Sequence, residues 1–391
     1  MLKPAYIALA LGTFALGIAE FAMMAILSNI AAGLNITIPE AGSFISAYSM
    51  GVALGSMALA FMNALPLKKI LLALCLIIVF GNLGAAMAPD AQSLYWARLV
   101  SGLPHGAYFG VAAVVATRLA GYGEKASAVA IMISGMTVAN VAGVPLATLV
   151  VNLLTWRMMF LIVTLGGILA FLGIWRFIPP MAPNSRGKCA TFKCQFLFLK
   201  KAAPWLIYAG TFFGQAALYC WYSYIEPSML HVAGFSEDSM SWIMALAGVG
   251  MFTGGLVAGK IADRFPPGLV TSLICFAMLP TLFCIWLYDA SKPLSLLLAF
   301  IGAAEIFALG GPLQFLIVQY SKGGELLGGA GIQVAFNVAN AFAAWLGGMC
   351  IAKGFGYSSP AIAGLPLALI GAIALLLFHF MYCKKIDRNQ T

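Results

Sequence analysis

Glu20, Arg98 and His105 are ionisable side chains inside otherwise apolar runs of the first half of the chain. An acid, a permanent cation and an imidazole that titrates near neutrality are the parts of a proton-handling site. His105 follows Arg98 by two helical turns on one face, roughly 10 Å further along the axis. Gly102 and Gly106 fall at i+4 and i+8 from Arg98, a small-residue stripe that admits a neighbouring helix. Pro104 has no amide hydrogen and is expected to kink or loosen the helix there. A charge in hydrocarbon costs at least ~2.5–3.5 kcal/mol on insertion scales, so such a residue is rarely idle. Counted by rise per residue, Glu20 sits roughly 21 Å into the first run and Arg98 at nearly the same level, with His105 about 10 Å deeper. One reading is proton coupling through Glu20 or His105, with Arg98 tuning the carboxylate. The other is a structural Glu20–Arg98 pair that holds two spans together.

A second set of polar residues recurs at helical spacing. Gln215, Tyr219 and Tyr222 share one face, as do Gln333, Asn337 and Asn340; Asn140 and Glu305 reach similar depths. Amides and aromatic hydroxyls suit a neutral polyol or an amphipathic drug, yet amides also join membrane helices to one another. Other chemistry is excluded. His, Cys and carboxylates do not cluster at metal-ligand spacing, and Cys189 and Cys194 have no His or further Cys beside them. The stretch Gly254 to Ile261, GGLVAGKI, nearly spells a phosphate-binding loop, but Ile261 stands where a hydroxyl must ligate magnesium. No nucleophile elbow is present. The chain is expected to be no enzyme and to need no metal or cofactor, with a proton gradient as its energy source.

These residues must be held by membrane helices. Apolar residues make up 62% of the chain and charged residues 8%, against ~25% charged in a soluble domain. Runs of spanning length lie at 5–30, 41–62, 70–88, 93–117, 126–152 and 158–178, then at 204–226, 239–260, 269–288, 294–318, 326–351 and 360–382. The first is too long for a cleaved signal peptide and carries Glu20. Twelve spans put both termini on one side. Seventeen of the 21 Lys and Arg fall on that side, Arg157, Lys292 and Lys353 on the other, and Arg98 between. Positive loops stay inside, so both termini are expected in the cytoplasm. The net charge of +9 is therefore a topology signal and not a nucleic-acid footprint. The expected organisation is a six-helix bundle over 1–178, a basic, proline-bearing linker over 179–203 and a second bundle over 204–391.

The halves look like copies. Gly12-Thr13-Phe14 recurs as Gly210-Thr211-Phe212, and Gly55 pairs with Gly255. Two six-helix halves related about the membrane normal resemble the major facilitator arrangement. The motifs agree with that resemblance. GKIADRF, Gly259 to Phe265, is similar to the facilitator loop in which Asp263 and Arg264 would latch the cytoplasmic gate. Arg98 and Gly102 match R-x-x-x-G, and Trp156, Arg157 and Phe160 match W-R-x-x-F. GMTVANVAGVPLAT, with Gly135, Gly143 and Pro145, resembles the antiporter motif of span 5. Ala19-Glu20-Phe21, Pro104-His105-Gly106 and GGELLGGAG from Gly323 to Gly331 resemble the AraJ-type branch of the drug:proton antiporter-1 family. One departure stands out: Asn63 occupies the first-half position of Asp263, so one gate latch lacks its charge.

What the resemblance implies is an all-α polytopic protein of the bacterial inner membrane, working as a monomer among membrane lipids. It would export a small molecule such as a sugar or drug in exchange for protons. An uptake symporter is the alternative within transporters. A non-transporting sensor or lipid-handling protein is the alternative outside them.

Overall fold

The computed structural model describes residues 4–58, 65–121, 124–182, 197–322 and 324–383, and every regular element among them is helical. Asn63, Lys3, Gly323, Lys384, Lys385 and Arg388 lie outside these residues. So does most of the expected linker, with Arg186, Lys188, Cys189, Lys193 and Cys194. The described residues form two compact units. The first takes in residues up to 182 together with Ser236–Ala245; the second takes in the rest.

In the first unit, α1 (Pro4–Phe21) ends in a 3₁₀ turn over Ala22–Ala25, and α2 (Leu27–Leu34) continues beyond it. Next come α3 (Ile38–Ala58) and α4 (Leu67–Ala86). α5 (Ala91–Gly102) and α6 (Pro104–Leu119) are two parts of one rod, broken at Leu103 because Pro104 supplies no amide hydrogen. α7 (Lys125–Val138) passes through a π-helical turn at Ala139–Gly143 into α8 (Val144–Leu153), and α9 (Arg157–Phe177) closes the unit.

The second unit repeats the plan. It holds α10 (Ala202–Tyr222), α11 (Ile225–His231), α12 (Met240–Ala262) from Leu246 onward, α13 (Pro267–Tyr288), α14 (Lys292–Ala308), α15 (Gly310–Tyr320), α16 (Glu325–Ala352) and α17 (Ser359–Phe378). α10 and α11 are broken at Ser223–Tyr224, and α14 and α15 at Leu309, the places equivalent to the breaks after Phe21 and at Leu103. Joined across these breaks, the described helices make twelve rods.

Ten of the rods are long and apolar enough to cross a membrane by length and composition. The sequence reading counted twelve. α10 falls short because Gly, Tyr, Thr and Gln replace aliphatic residues along it, and α3 is counted only to Ala58, before the apolar Leu59, Ala60, Phe61 and Met62 of the sequence. Each has 21 described residues and rises roughly 31 Å.

Backbone contact through glycine sets the packing around the ionisable residues. A Cβ on Gly51 or Gly55 of α3 would strike the carbonyls of Leu99 and Leu103, and one on Gly102 would strike the carbonyl of Tyr48. α3 is thereby pressed against the broken rod at the level of Arg98 and His105. In the second unit Gly250 and Gly254 meet the carbonyls of Phe300 and Ala304 in the same manner. Gly255 has only the Phe307 carbonyl, 3.8 Å from the site of its missing Cβ. The structural partner of Gly55 is therefore Gly254, not Gly255. Sequence similarity alone could not separate two adjacent glycines that face different neighbours.

Side chains reinforce these approaches. Thr13 Oγ1 donates to the Met132 carbonyl at 2.6 Å and Tyr108 Oη to that of Leu9 at 3.1 Å, tying α1 to α7 and α6. Arg157 Nη2 donates to the carbonyl of Ala88 at 2.9 Å, just beyond the end of α4, with its guanidinium over Trp156. That is the local work of the Trp156-Arg157 motif.

Asp90 caps α5, the helix that carries Arg98, by accepting from the Ser93 amide at 2.8 Å. The amide and hydroxyl of Ser93 hold its carboxyl below the usual range. A depressed folded-state pKa adds stability above the ordinary carboxylate value of about 3.9 and loses it as pH falls through the folded value. Hydrogen exchange at residues 92–94 should therefore be slower in the natural protein than in Asp90→Ala by a constant factor from pH 6 to 8. That factor should shrink as pH drops below about 4. A factor that does not change with pH would show that the carboxylate charge plays no part.

Candidate functional site

The ionisable residues of the first unit come together where two rods break. Glu20 lies in the last turn of α1, immediately before the 3₁₀ turn, and His105 in the first turn of α6, immediately after Leu103. Glu20 Oε2 is 3.7 Å from His105 Nε2, and both residues are buried. The depth count separated His105 from Glu20 by about 10 Å along a straight helix. The structure corrects this. Breaking both rods and letting two side chains reach across removes the separation.

Arg98 is fully buried. Its Nη1 donates to the carbonyl of Ala19 at 3.0 Å and its Nε to that of Phe44 at 3.4 Å. Ala19 is in the last turn of α1, where carbonyls have no partner in their own helix, so the guanidinium caps α1 at its break. It also lies over the Tyr48 ring, 4.2 Å from the centroid. Arg98 thus reaches the Glu20 end of α1 through the neighbouring backbone carbonyl, and the Glu20 carboxylate faces the His105 imidazole.

Tyr48 is the member that sequence reasoning missed. It is buried in α3, with Oη 2.9 Å from His105 Nδ1. The His105 ring stacks on Phe109 at 5.3 Å between centroids and meets the edge of Tyr48 at 5.9 Å. A signal was present: Tyr48 stands three residues before Gly51 and seven before Gly55.

The antiporter-like stretch packs along α1. Gly135 faces the Ala10 carbonyl and Thr13, Gly143 faces Phe14 and Ile18, and Pro145 opens α8. Asn140 sits buried on the π-helical turn, and neither of its amide atoms has a hydrogen-bond partner among the described residues. Single π turns recur at functional sites.

In the second unit Gln215, Tyr219 and Tyr222 are buried on α10, and the two tyrosine rings touch edge to face at 6.1 Å. Gln215 Oε1 and Tyr222 Oη have no hydrogen-bond partner among the described residues. On α16, Asn337 Nδ2 donates to the Gln333 carbonyl at 2.9 Å, and Asn340 is buried one turn on. Glu305 turns towards α13, where its Oε1 accepts from Thr281 Oγ1 at 3.0 Å. A further buried acid, Asp289, follows α13 and accepts from Ser228 Oγ and, at 3.0 Å, from Ser358 Oγ. Burial pushes its carboxyl up, and the two hydroxyls oppose the shift. At the gate motif, Asp263 and Arg264 are exposed beyond the end of α12, and neither side chain is bonded to another described residue. Nothing lies within 4 Å of the Cβ position of Gly259.

Comparison with known proteins agrees with this architecture. The model of the Major Facilitator Superfamily matches residues 9–331. The AraJ protein of Escherichia coli K12 is 40% identical over 378 residues, 96% of this chain and 95% of AraJ. The inner membrane transport protein YdhP of the same strain is 32% identical over 380 residues, 97% of this chain and 96% of YdhP. The crystal structure of a D-xylose-proton symporter superposes with a TM-score of 0.71 at 15% identity, covering 96% of each chain, which is likeness of fold alone. The chain belongs to the major facilitator superfamily and is a secondary transporter, not an enzyme.

Proposed function

We propose that this transporter exports a small polar or amphipathic molecule in exchange for protons. The observation that carries the reading is the Glu20–His105 contact at 3.7 Å, buried at the junction of two broken helices. Discontinuous helices are where transporters of this kind bind substrate and coupling ions, and a buried acid beside an imidazole is a means of holding a proton. The π-helical turn in the antiporter-like stretch supports exchange over symport. Asn140, Gln215, Tyr219, Tyr222, Gln333, Asn337 and Asn340 are the substrate-facing candidates. Their chemistry suits a ligand bound by hydrogen bonds and ring contacts. The basic residues favour an inner-membrane orientation with both termini in the cytoplasm, and Asp263 with Arg264 as the charged gate latch on that side.

Reconstituted vesicles test the direction of coupling. With an acid lumen, exchange draws external substrate inwards as protons leave, whereas symport needs the acid outside. A panel of labelled D-xylose, uridine and ethidium samples the sugar, nucleoside and cationic-drug classes. Accumulation of at least one compound with an acid lumen, and not with the reverse gradient, is the expected result. Accumulation only with acid outside would replace exchange by symport.

A further inference from the structure

We infer that Tyr48 is a positioning residue that holds His105 in the tautomer with its hydrogen on Nε2, and that Arg98 acts on the Glu20–His105 pair through the Tyr48 ring. This rests on the proposed role of that pair in proton coupling and names how the site is set.

The argument begins with the phenol. Tyr48 is buried, and its hydroxyl has a single hydrogen-bond partner among the described residues, His105 Nδ1 at 2.9 Å. A buried O–H needs an acceptor. If Nδ1 carried the imidazole hydrogen and donated to Tyr48, the phenol hydrogen would be left with nowhere to go, a costly arrangement away from water. The phenol therefore donates to the Nδ1 lone pair, and the neutral imidazole must carry its hydrogen on Nε2. Nε2 is the atom that faces Glu20 Oε2 at 3.7 Å. The imidazole then presents N–H to the carboxylate when Glu20 is ionised.

Two further contacts fix this choice. Phe109 stacks on the His105 ring with an interplanar angle of 16°, and Tyr48 meets it edge-on at 75°, so the ring cannot turn over and exchange its nitrogens in place. The Arg98 guanidinium lies 4.2 Å from the Tyr48 ring centroid. A cation over the ring face draws electron density from the phenol, which makes the hydroxyl a better donor and a poorer acceptor. The same guanidinium is anchored by the Ala19 and Phe44 carbonyls, so it cannot drift from the ring without giving up both. Close approach of Gly102 to the Tyr48 carbonyl holds α3 in register for these contacts.

Nitrogen magnetic resonance reads the tautomer directly in the full-length protein labelled with ¹⁵N-histidine. The chain has three histidines, so the His105 signals are found by their loss in His105→Gln. The expected spectrum shows a protonated Nε2 and a hydrogen-bonded, unprotonated Nδ1. Tyr48→Phe keeps the ring under Arg98 and removes one oxygen, so the protein should fold and the single tautomer should give way to a mixture. Arg98→Gln should move His105 in the same direction by a smaller amount. If Arg98→Gln fails to fold, Arg98→Met stands in, since it fills much of the same volume and likewise places no cation over the ring. A natural protein with its hydrogen on Nδ1, or a Tyr48→Phe spectrum unchanged at His105, overturns the role of Tyr48. An unchanged spectrum in a folded Arg98 variant overturns the role of Arg98. These spectra need no substrate, so their failure is distinct from failure of a Glu20→Gln flux test, which bears on coupling alone.

Discussion

Glu20→Gln is expected to reduce pH-gradient-driven flux to the level of protein-free vesicles while leaving the protein folded. Gln has nearly the shape of Glu and can still accept from His105 Nε2 through its amide oxygen, so packing around this buried position should persist. What it cannot do is take up and release a proton. Gradient-driven flux requires the carrier to cycle between protonated and deprotonated forms, whereas substrate exchange across equal pH requires only the moving helices. The variant should therefore retain exchange of labelled for unlabelled substrate with no gradient imposed. Gradient-driven flux within about twofold of the natural protein would remove Glu20 from the coupling path, since lost acid–base groups usually cost at least 10²-fold. His105→Gln then separates the two partners. A loss as complete as that of Glu20→Gln would mean that the pair handles the proton together. A partial loss would leave His105 as the group that orients the acid.

The sequence was informative about the rods and about which of them matter, and less so about how side chains meet. Composition and the distribution of Lys and Arg are properties of whole segments, so twelve helical runs could be placed with little help from neighbours. Glu20, Arg98 and His105 were visible because charge is rare in an apolar run. Their partners were not visible, because a straight-helix count assumes an unbroken axis. The break at Leu103 was foreshadowed by Pro104, but those after Phe21 and at Leu309 have no proline at the break itself. Tyr48 was overlooked for another reason. A tyrosine in an apolar run is common, and its role depends on the glycines that bring α3 onto the carbonyls of Leu99 and Leu103. Glu305 shows a different limit: depth suggests a place among substrate-facing groups but does not give azimuth. In the structure one carboxylate oxygen accepts from Thr281 on α13 while the other has no hydrogen-bond partner among the described residues.

Arg98→Met is expected to loosen the first unit and leave the second largely unaffected. Methionine fills much of the same volume without charge, so the effect isolates what the guanidinium does. Removing it takes away the donors to the Ala19 and Phe44 carbonyls and the cation from the face of Tyr48. The Ala19 carbonyl lies at the broken end of α1, where no amide of its own helix can replace the lost donor. Charged hydrogen bonds are typically worth ~1.5–3 kcal/mol and an orphaned buried acceptor costs a further ~1–3 kcal/mol, so a loss on the order of 3 kcal/mol is reasonable. For a unit of this size that corresponds to a lowering of Tm by roughly 6–12 °C. Buried cysteines report each unit separately: Cys75 belongs to α4 in the first and Cys275 to α13 in the second. Labelling by a thiol-reactive dye during heating should occur earlier in an Arg98→Met protein that retains Cys75 alone. A protein that retains Cys275 alone should change much less. Arg98→Lys should fall between, because one ammonium cannot reach both carbonyls with the geometry of a planar fork. A shift at Cys75 under about 2 °C, at most about one kcal/mol on the same scale, would mean that Arg98 contributes little to holding the break and that its burial serves the Tyr48–His105 contact alone.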